Sequence, residues 1–221
     1  MLRFLVGILL CVSACSFFAP ANLQTKRSAD LEARSIKRIA VVLPNGRAPE
    51  QAAQTSYTST PEKGPSEQEL AELLARIVYS TMASMPNWQI VSDREVREVT
   101  QSIPPGADVA RLRKIGEMVY ADALMVGRVE RYRERIGNEW GAKSPASVAF
   151  VLDLIDVRRG DVIWSARFDE TQKPLSDNIF ALGQIGQRGI RWLSADQLAQ
   201  EGVRKAVDEL YQILGRNSAT S

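Results

Sequence analysis

Apolar positions along the chain change their spacing several times, and each change marks an element. Phe4 to Val12 is an apolar run of nine residues behind Met1-Leu2-Arg3. It is too short to cross a hydrocarbon layer about 30 Å thick but suits the core of a signal peptide. From Ser16 to Ser35 no period is sustained, which reads as a tether. Ile36 and Ile39 to Leu43 then form a short run closed by Pro44-Asn45-Gly46, the pattern of a strand buried on both faces. Residues 44 to 65 hold Pro44, Pro49, Pro61 and Pro65 among small polar residues and read as a long loop.

Helical spacing begins at Ser66-Glu67-Gln68-Glu69, a capping box in which the hydroxyl accepts from the third amide and Glu69 reaches back. Leu70, Leu73, Leu74, Ile77, Val78 and Met82 share one face, and Pro86 marks the end. Trp88 to Val91 reads as a brief strand. Asp93 is placed to cap a short helix through Val99, and Asp108 a third helix carrying Val109, Leu112, Ile115 and Met118 inward. Ala123 to Tyr132 predicts a strand in which Gly127 marks a bulge or a close backbone approach. Residues 147 to 157 are apolar at both parities apart from Asp153 and Asp156, as a central strand would be. Arg158-Arg159-Gly160-Asp161 is a turn, and Val162 to Phe168 returns beside that strand as a hairpin. Residues 173 to 193 show no clear state. A second capping box, Ser194-Ala195-Asp196-Gln197, opens a closing helix with Leu198, Val203, Val207, Leu210 and Leu214 on its buried face.

Composition narrows the chemistry. The 221 residues contain no histidine and two cysteines, so no Ser-His-Asp or Cys-His nucleophile and no imidazole metal ligand can be built. The first 14 residues carry one basic residue, Arg3, and no acid; the rest of the chain keeps 27 basic against 26 acidic groups, a balance that argues against nucleic acid as a partner. With 45% apolar and 24% charged residues, one globular domain with tails is the default.

The apolar run ends in Val12-Ser13-Ala14-Cys15, which resembles the lipobox of bacterial lipoproteins. Cleavage would leave Cys15 first and acylated, and Cys11 would depart with the leader, so no thiol remains for a disulfide or a metal. Several acyl chains on one residue exceed the two signals needed for stable anchoring. Ser16 after the cysteine, in the sorting pattern of enteric lipoproteins, favours the outer membrane with the domain facing the periplasm. The expected organisation is a signal peptide over 1–14, a lipidated tether over 15–35, a single α/β domain over 36–214 and a tail over 215–221.

Three segments together carry a further resemblance: Ile39-Ala40-Val41-Val42; Ala121-Asp122-Ala123-Leu124-Met125-Val126-Gly127-Arg128-Val129; and Asp156-Val157-Arg158-Arg159-Gly160-Asp161-Val162-Ile163-Trp164-Ser165. They are similar to the successive signatures of the lipoprotein group containing the penicillin-binding-protein activator LpoB and the curli secretion protein CsgG, both of which resemble the TolB amino-terminal domain. The resemblance implies an α/β fold, a mixed and mostly antiparallel sheet with helices packed on it, that acts by protein contact. The curli protein's pore needs hairpins of about twenty residues of alternating polarity. Residues 44 to 65 hold prolines, and residues 133 to 146 are too few and carry Arg133, Glu134, Arg135 and Lys143, so a pore is not expected.

Sites of chemistry are sparse. Gly137 to Ser144 approximates a phosphate loop with one residue too many and a strand, not a helix, after it, so it reads as a solvated loop. Gly183, Gly186 and Gly189 lack dinucleotide-fingerprint spacing. Asp153 and Asp156 point to opposite faces of a strand and cannot serve one substrate; Asp156 reads as a turn acceptor and Trp164 as core. Aromatic and arginine side chains are the usual anchors of interfaces, which makes Tyr132, Arg133, Trp140, Arg188, Arg191 and Trp192 the candidate partner-binding residues, the alternative for Trp140 and Trp192 being that they cover the core edge, with Cys15 the lipidation site. No catalytic residue, metal or cofactor is expected. The reading is a non-enzymatic, membrane-anchored lipoprotein that binds an envelope protein, as a regulator of a peptidoglycan synthase or a secretion or assembly factor. The alternatives are a structural component of an oligomeric envelope complex, with the chain self-associating, and a hydrolase using carboxylates or a Ser-Lys pair.

Overall fold

The computed structural model describes residues 22–42, 65–104, 106, 108–172 and 192–215. In chain order these form β1 (Leu23–Arg27), β2 (Arg38–Val42), α1 (Glu67–Ala83), β3 (Gln89–Ile90), α2 (Asp93–Ser102), α3 (Val109–Met118), β4 (Ala123–Arg133), β5 (Ile136–Gly137), β6 (Ala142–Ser144), β7 (Ser147–Asp156), β8 (Val162–Thr171) and α4 (Ala195–Gly215). Six strands make one sheet in the order β1-β8-β7-β4-β2-β3, and β5 and β6 pair separately. The pairs β1/β8, β8/β7 and β7/β4 are antiparallel, while β4/β2 and β2/β3 are parallel. The fold is α/β with a mixed, mostly antiparallel sheet and helices packed on it, as the sequence predicts.

The two apolar parities of the central strands explain the layers. On one face Val148, Phe150, Leu152 and Leu154 of β7 meet Trp164, Ala166 and Phe168 of β8 and the stripes of α1 and α4, among them Leu74, Ile77, Val78, Leu198, Val203 and Val207. Phe150 and Phe168 stack there with ring centres 5.2 Å apart, and Trp164 is buried as expected. Ala40, Val42, Leu124 and Ile155 point the other way and are covered by Val96 of α2 and Ile115 of α3. Beyond the reach of these two helices, the second face is roofed by charge. Arg131 and Asp169 lie in register on either side of Ala149 and pair across it, and Arg128 and Arg167 flank Val151, with Glu130 taking Arg167 at 2.6 Å. Ala149 and Val151 are buried on this face.

Caps and turns follow local chemistry. The Ser66 capping box is formed, with Glu69 N–H donating to the hydroxyl at 3.2 Å and Ser66 N–H to the Glu69 carboxylate at 2.7 Å. Asp108 caps α3 through the Arg111 amide at 2.6 Å. Gly160 turns the β7–β8 hairpin with φ +76. Gly127 marks a close approach: a Cβ there would lie 3.0 Å from Leu74, and the register shift of β4 comes later, between Val129 and Arg131.

Three expectations are corrected. Residues 23–27, read as tether, form the edge strand β1 against β8, and Leu31 just beyond is fully buried. Only Leu23 and Thr25 alternate inward before Lys26 and Arg27, too short a pattern to announce a strand that tertiary pairing creates. Ser92, not Asp93, caps α2; Asp93 instead pairs with Arg97 one turn on at 2.7 Å. Val109 and Met118 of α3 are exposed. The helix packs on its glycine side, where a Cβ on Gly116 would come within 2.4 Å of Val157, and this turns Leu112, Ile115 and Val119 inward. The loop over 44 to 64, the stretch 173 to 191 and the tail past Gly215 lie outside the described residues, as do the leader and Cys15.

Candidate functional site

The end of the sheet where β4 stops and β7 starts carries most of the aromatic candidates. The chain leaves β4 at Arg133, makes the small β5/β6 hairpin, and re-enters the sheet at Ser147. Asn138 shapes the hairpin tip: its side-chain carbonyl accepts from the backbone amides of Trp140 at 3.0 Å and Gly141 at 2.8 Å, and its backbone N–H donates to Gly141 O at 3.1 Å. An Asn side chain holding the amides two and three residues on is an ordinary way to fix a tight loop. It leaves Trp140 72% exposed, with Ile136 61% exposed on β5. Gly137 to Ser144 is thus a hairpin, not a phosphate cradle.

This hairpin is braced against the start of α4. Arg135 donates through Nη1 to the Trp192 carbonyl, and the Trp192 amide donates to Glu139 O at 2.8 Å. The Glu134 carboxylate accepts from the Ala195 amide at 3.1 Å, placing negative charge at a helix N-terminus where the backbone dipoles favour it. The second capping box is formed: the Gln197 amide donates to Ser194 Oγ at 3.2 Å and the Ser194 amide to Gln197 Oε1 at 2.9 Å. Tyr132 donates its phenol to Asp196. Burial, then that bond and the charges of Asp196 and Glu134, hold the Tyr132 phenol protonated well above its usual range.

Tyr132, Trp140 and Trp192, drawn from two stretches about fifty residues apart in sequence, therefore belong to one platform. Arg133 ends β4 exposed beside them, as does Lys143 on β6. Arg188 and Arg191 lie outside the described residues. Sequence reading did not single out Glu134, Arg135 and Asp196, whose partners here are distant along the chain. It also missed Ile136, although an isolated isoleucine between Arg135 and Gly137 was a visible signal.

Beside the platform, Tyr132 also lines an open cleft of about 310 Å³ with Pro65, Glu69, Leu70, Glu72, Leu73 and Arg76. Glu69 is held as a carboxylate by the amide and hydroxyl of Ser66, so it is set up as a helix cap, not as a proton donor near neutral pH. Among the described residues no group of three or more His, Cys, Asp or Glu could hold a metal ion, and no helix is long and apolar enough to cross a membrane.

At the opposite end of the sheet the β7–β8 turn is locked by ions. Arg34 donates to Asp156, to Asp30 at 2.8 Å and to Asp161 at 3.5 Å, and Asp156 also accepts from the Arg159 amide at 2.9 Å. Asp156 is the turn acceptor the sequence predicts. Burial alone would raise its pKa, but the Arg159 amide and the Arg34 guanidinium outweigh it and hold it below the ordinary carboxylate range. The Arg34 bond lowers Asp30 to about 2. At the same end of the sheet Tyr120, three positions before Ala123 of β4, stands 82% exposed.

Fold and platform together define a helix-covered mixed sheet that offers contact surface. No protein-family model matches the chain, and no curated protein matches it. Solved structures do. The PelC dodecamer from Paraburkholderia phytofirmans is 17% identical, with 85% of this chain and 95% of that one covered and a TM-score of 0.45. The LpoB C-terminal domain from Salmonella enterica is 16% identical over 64% and 87%, with a TM-score of 0.39. Lipoprotein GNA1162 from Neisseria meningitidis is 16% identical over 68% and 96%, at 0.39. These are likenesses of fold.

Proposed function

We propose that this chain is a non-enzymatic lipoprotein, anchored to the outer membrane through acylated Cys15 with its domain in the periplasm, that binds a protein partner in cell-envelope assembly. A regulator of a peptidoglycan synthase or a secretion or assembly factor fits that description. One observation carries the reading: Val12-Ser13-Ala14-Cys15 stands seven positions before Asn22, the first described residue of a domain that presents a braced aromatic platform. The platform's polar groups are spent on bracing: Glu134 on the Ala195 amide, Arg135 on the Trp192 carbonyl and Asp196 on the Tyr132 phenol. Groups fixed in this way position a surface for recognition.

The anchor is tested by Cys15→Ser, which should leave the domain folded yet free it from sedimenting membranes; a variant that still pellets with them overturns the anchor. The partner is tested with a photo-cross-linking residue in place of Trp192 in intact cells. The expected result is one discrete envelope-protein adduct whose yield drops when Arg133 is made Glu. No adduct, or one indifferent to Arg133, overturns protein binding at this platform.

A further inference from the structure

The β5/β6 hairpin and Asn22, where the chain enters the sheet, lie at the same end of the sheet. Leu23 of β1 pairs with Phe168 of β8, and the Asp169 amide donates to the Asn22 carbonyl at 2.9 Å, so the chain enters the sheet level with Asp169. Thr171, two residues further along β8, is in register with Ser147, and Ser147 with Arg133. Two residues of strand are about 7 Å. The hairpin with Ile136 and Trp140 sets out from Arg133, so it projects past the point where the anchored segment arrives.

Because β1 begins at Leu23 and not after Ser35, the reach of the anchor is short. Cys15 to Asn22 is seven residues, which span at most about 25 Å when fully extended. With Cys15 acylated, the end of the sheet bearing Asn22 is held within about 25 Å of the bilayer, and the side chains it presents are an exposed Trp and Ile with exposed Arg133 and Lys143 beside them. Trp at headgroup depth, with basic side chains reaching phosphate, is the composition of a membrane-interface contact.

The geometry points to the β5/β6 hairpin, with Trp140 and Ile136 at its apolar surface and Arg133 and Lys143 beside it, as a second membrane contact that dips into the lipid headgroup layer and orients the domain on its anchor. This rests on the acylation of Cys15, and it moves Trp140 from the protein-contact platform to the bilayer. Tyr132, Arg135 and Trp192 then act as positioning residues that hold the hairpin pointed at the membrane. The opposite end, with Tyr120, is directed away from the lipid.

The test uses the full-length acylated protein in vesicles of phosphatidylethanolamine and phosphatidylglycerol whose acyl chains are brominated near the headgroup, with the mass of the Cys15 peptide measured on the same sample. Bromine quenches tryptophan fluorescence on contact. The expected result is quenching in the native chain that falls at least roughly twofold in Trp140→Phe, since an interfacial Trp sits at that depth, Trp164 is buried in the core and Trp88 and Trp192 are half-buried. Equal quenching in the two proteins, with Cys15 acylated and the protein bound to vesicles, overturns the hairpin contact and leaves the lipoprotein reading standing. A cross-link from position 140 to a protein, without quenching, assigns the tip to a protein partner instead. Unacylated Cys15 removes the lipoprotein reading and this inference with it.

Discussion

The two ends of the sheet use arginine in opposite ways. At the turn end Arg34 is withdrawn from water, its side chain 12% exposed and that of Asp156 10%, and the pair ties the segment after β1 to the β7–β8 turn. At the hairpin end Arg135 and Glu134 are spent on backbone groups of the segment entering α4, and the apolar side chains they position are left in the open. Burying an ion pair fixes structure and offers nothing to a partner; bracing an exposed Trp offers contact surface while contributing little to folding. One end is built to hold the chain, the other to meet something outside it.

The sharpest way to break this contrast is at the turn end. Arg34→Met should lower unfolding free energy by about 3 kcal/mol, because it strands the Asp156 carboxylate in a buried site, and urea denaturation would measure it. A loss no larger than that of an exposed pair would mean the turn end is no lock. The same cluster sets acid sensitivity. Asp30 and Asp156 have folded pKa values below the unfolded carboxylate value, so their stabilisation is complete above that unfolded value and is lost as pH falls through the folded ones. For Asp30 the window runs from the ordinary range near 4 down to about 2. Melts of the native chain between those limits should fall more steeply than those of Arg34→Met, in which the guanidinium that lowers both groups is gone.

Much of the frame was legible in the sequence because it is written locally. The Ser66 and Ser194 capping boxes, the two-parity run of β7 and the Gly160 turn each need only a few adjacent residues, and each stands where its pattern places it. What failed depends on distant partners. Leu23 and Thr25 become a strand only because β8 offers an edge, and α3 turns its Ile115 and Gly116 side inward because Val157 fills the space left by a missing Cβ. The platform was half legible: Tyr132, Trp140 and Trp192 stand out by residue type, whereas Glu134, Arg135 and Asp196 acquire meaning only when residues 134 and 195 are brought together.

At the hairpin end the effects should be smaller and of another kind. Tyr132→Phe removes a phenol that donates to a carboxylate on a partly exposed platform, an expected loss of about 1 kcal/mol. Its signature is local: amide exchange at Trp192 and Ala195 should quicken while the buried strand β7 stays protected. In the native chain the phenol should resist ionisation well past its ordinary pKa of about 10, and a spectrophotometric titration in which Tyr132→Phe removes a component at the ordinary value would show that the Asp196 bond is not maintained.

Trp140→Ser should be the least costly change of all to folding, within about 0.5 kcal/mol, because the Trp140 side chain is mostly in solvent and the Asn138 bonds that shape the loop involve only the backbone of residue 140. That near-neutrality is itself informative, since Trp140 and Ile136 are exposed on one hairpin, and neighbouring exposed apolar side chains, unlike scattered ones, mark contact surface. A thermal melt decides the point. A destabilisation comparable to that of Arg34→Met would show that Trp140 packs on the domain after all; the hairpin end would then be a second lock, and the contrast between the two ends would vanish. An unchanged melt leaves the indole free to act on a surface outside the chain.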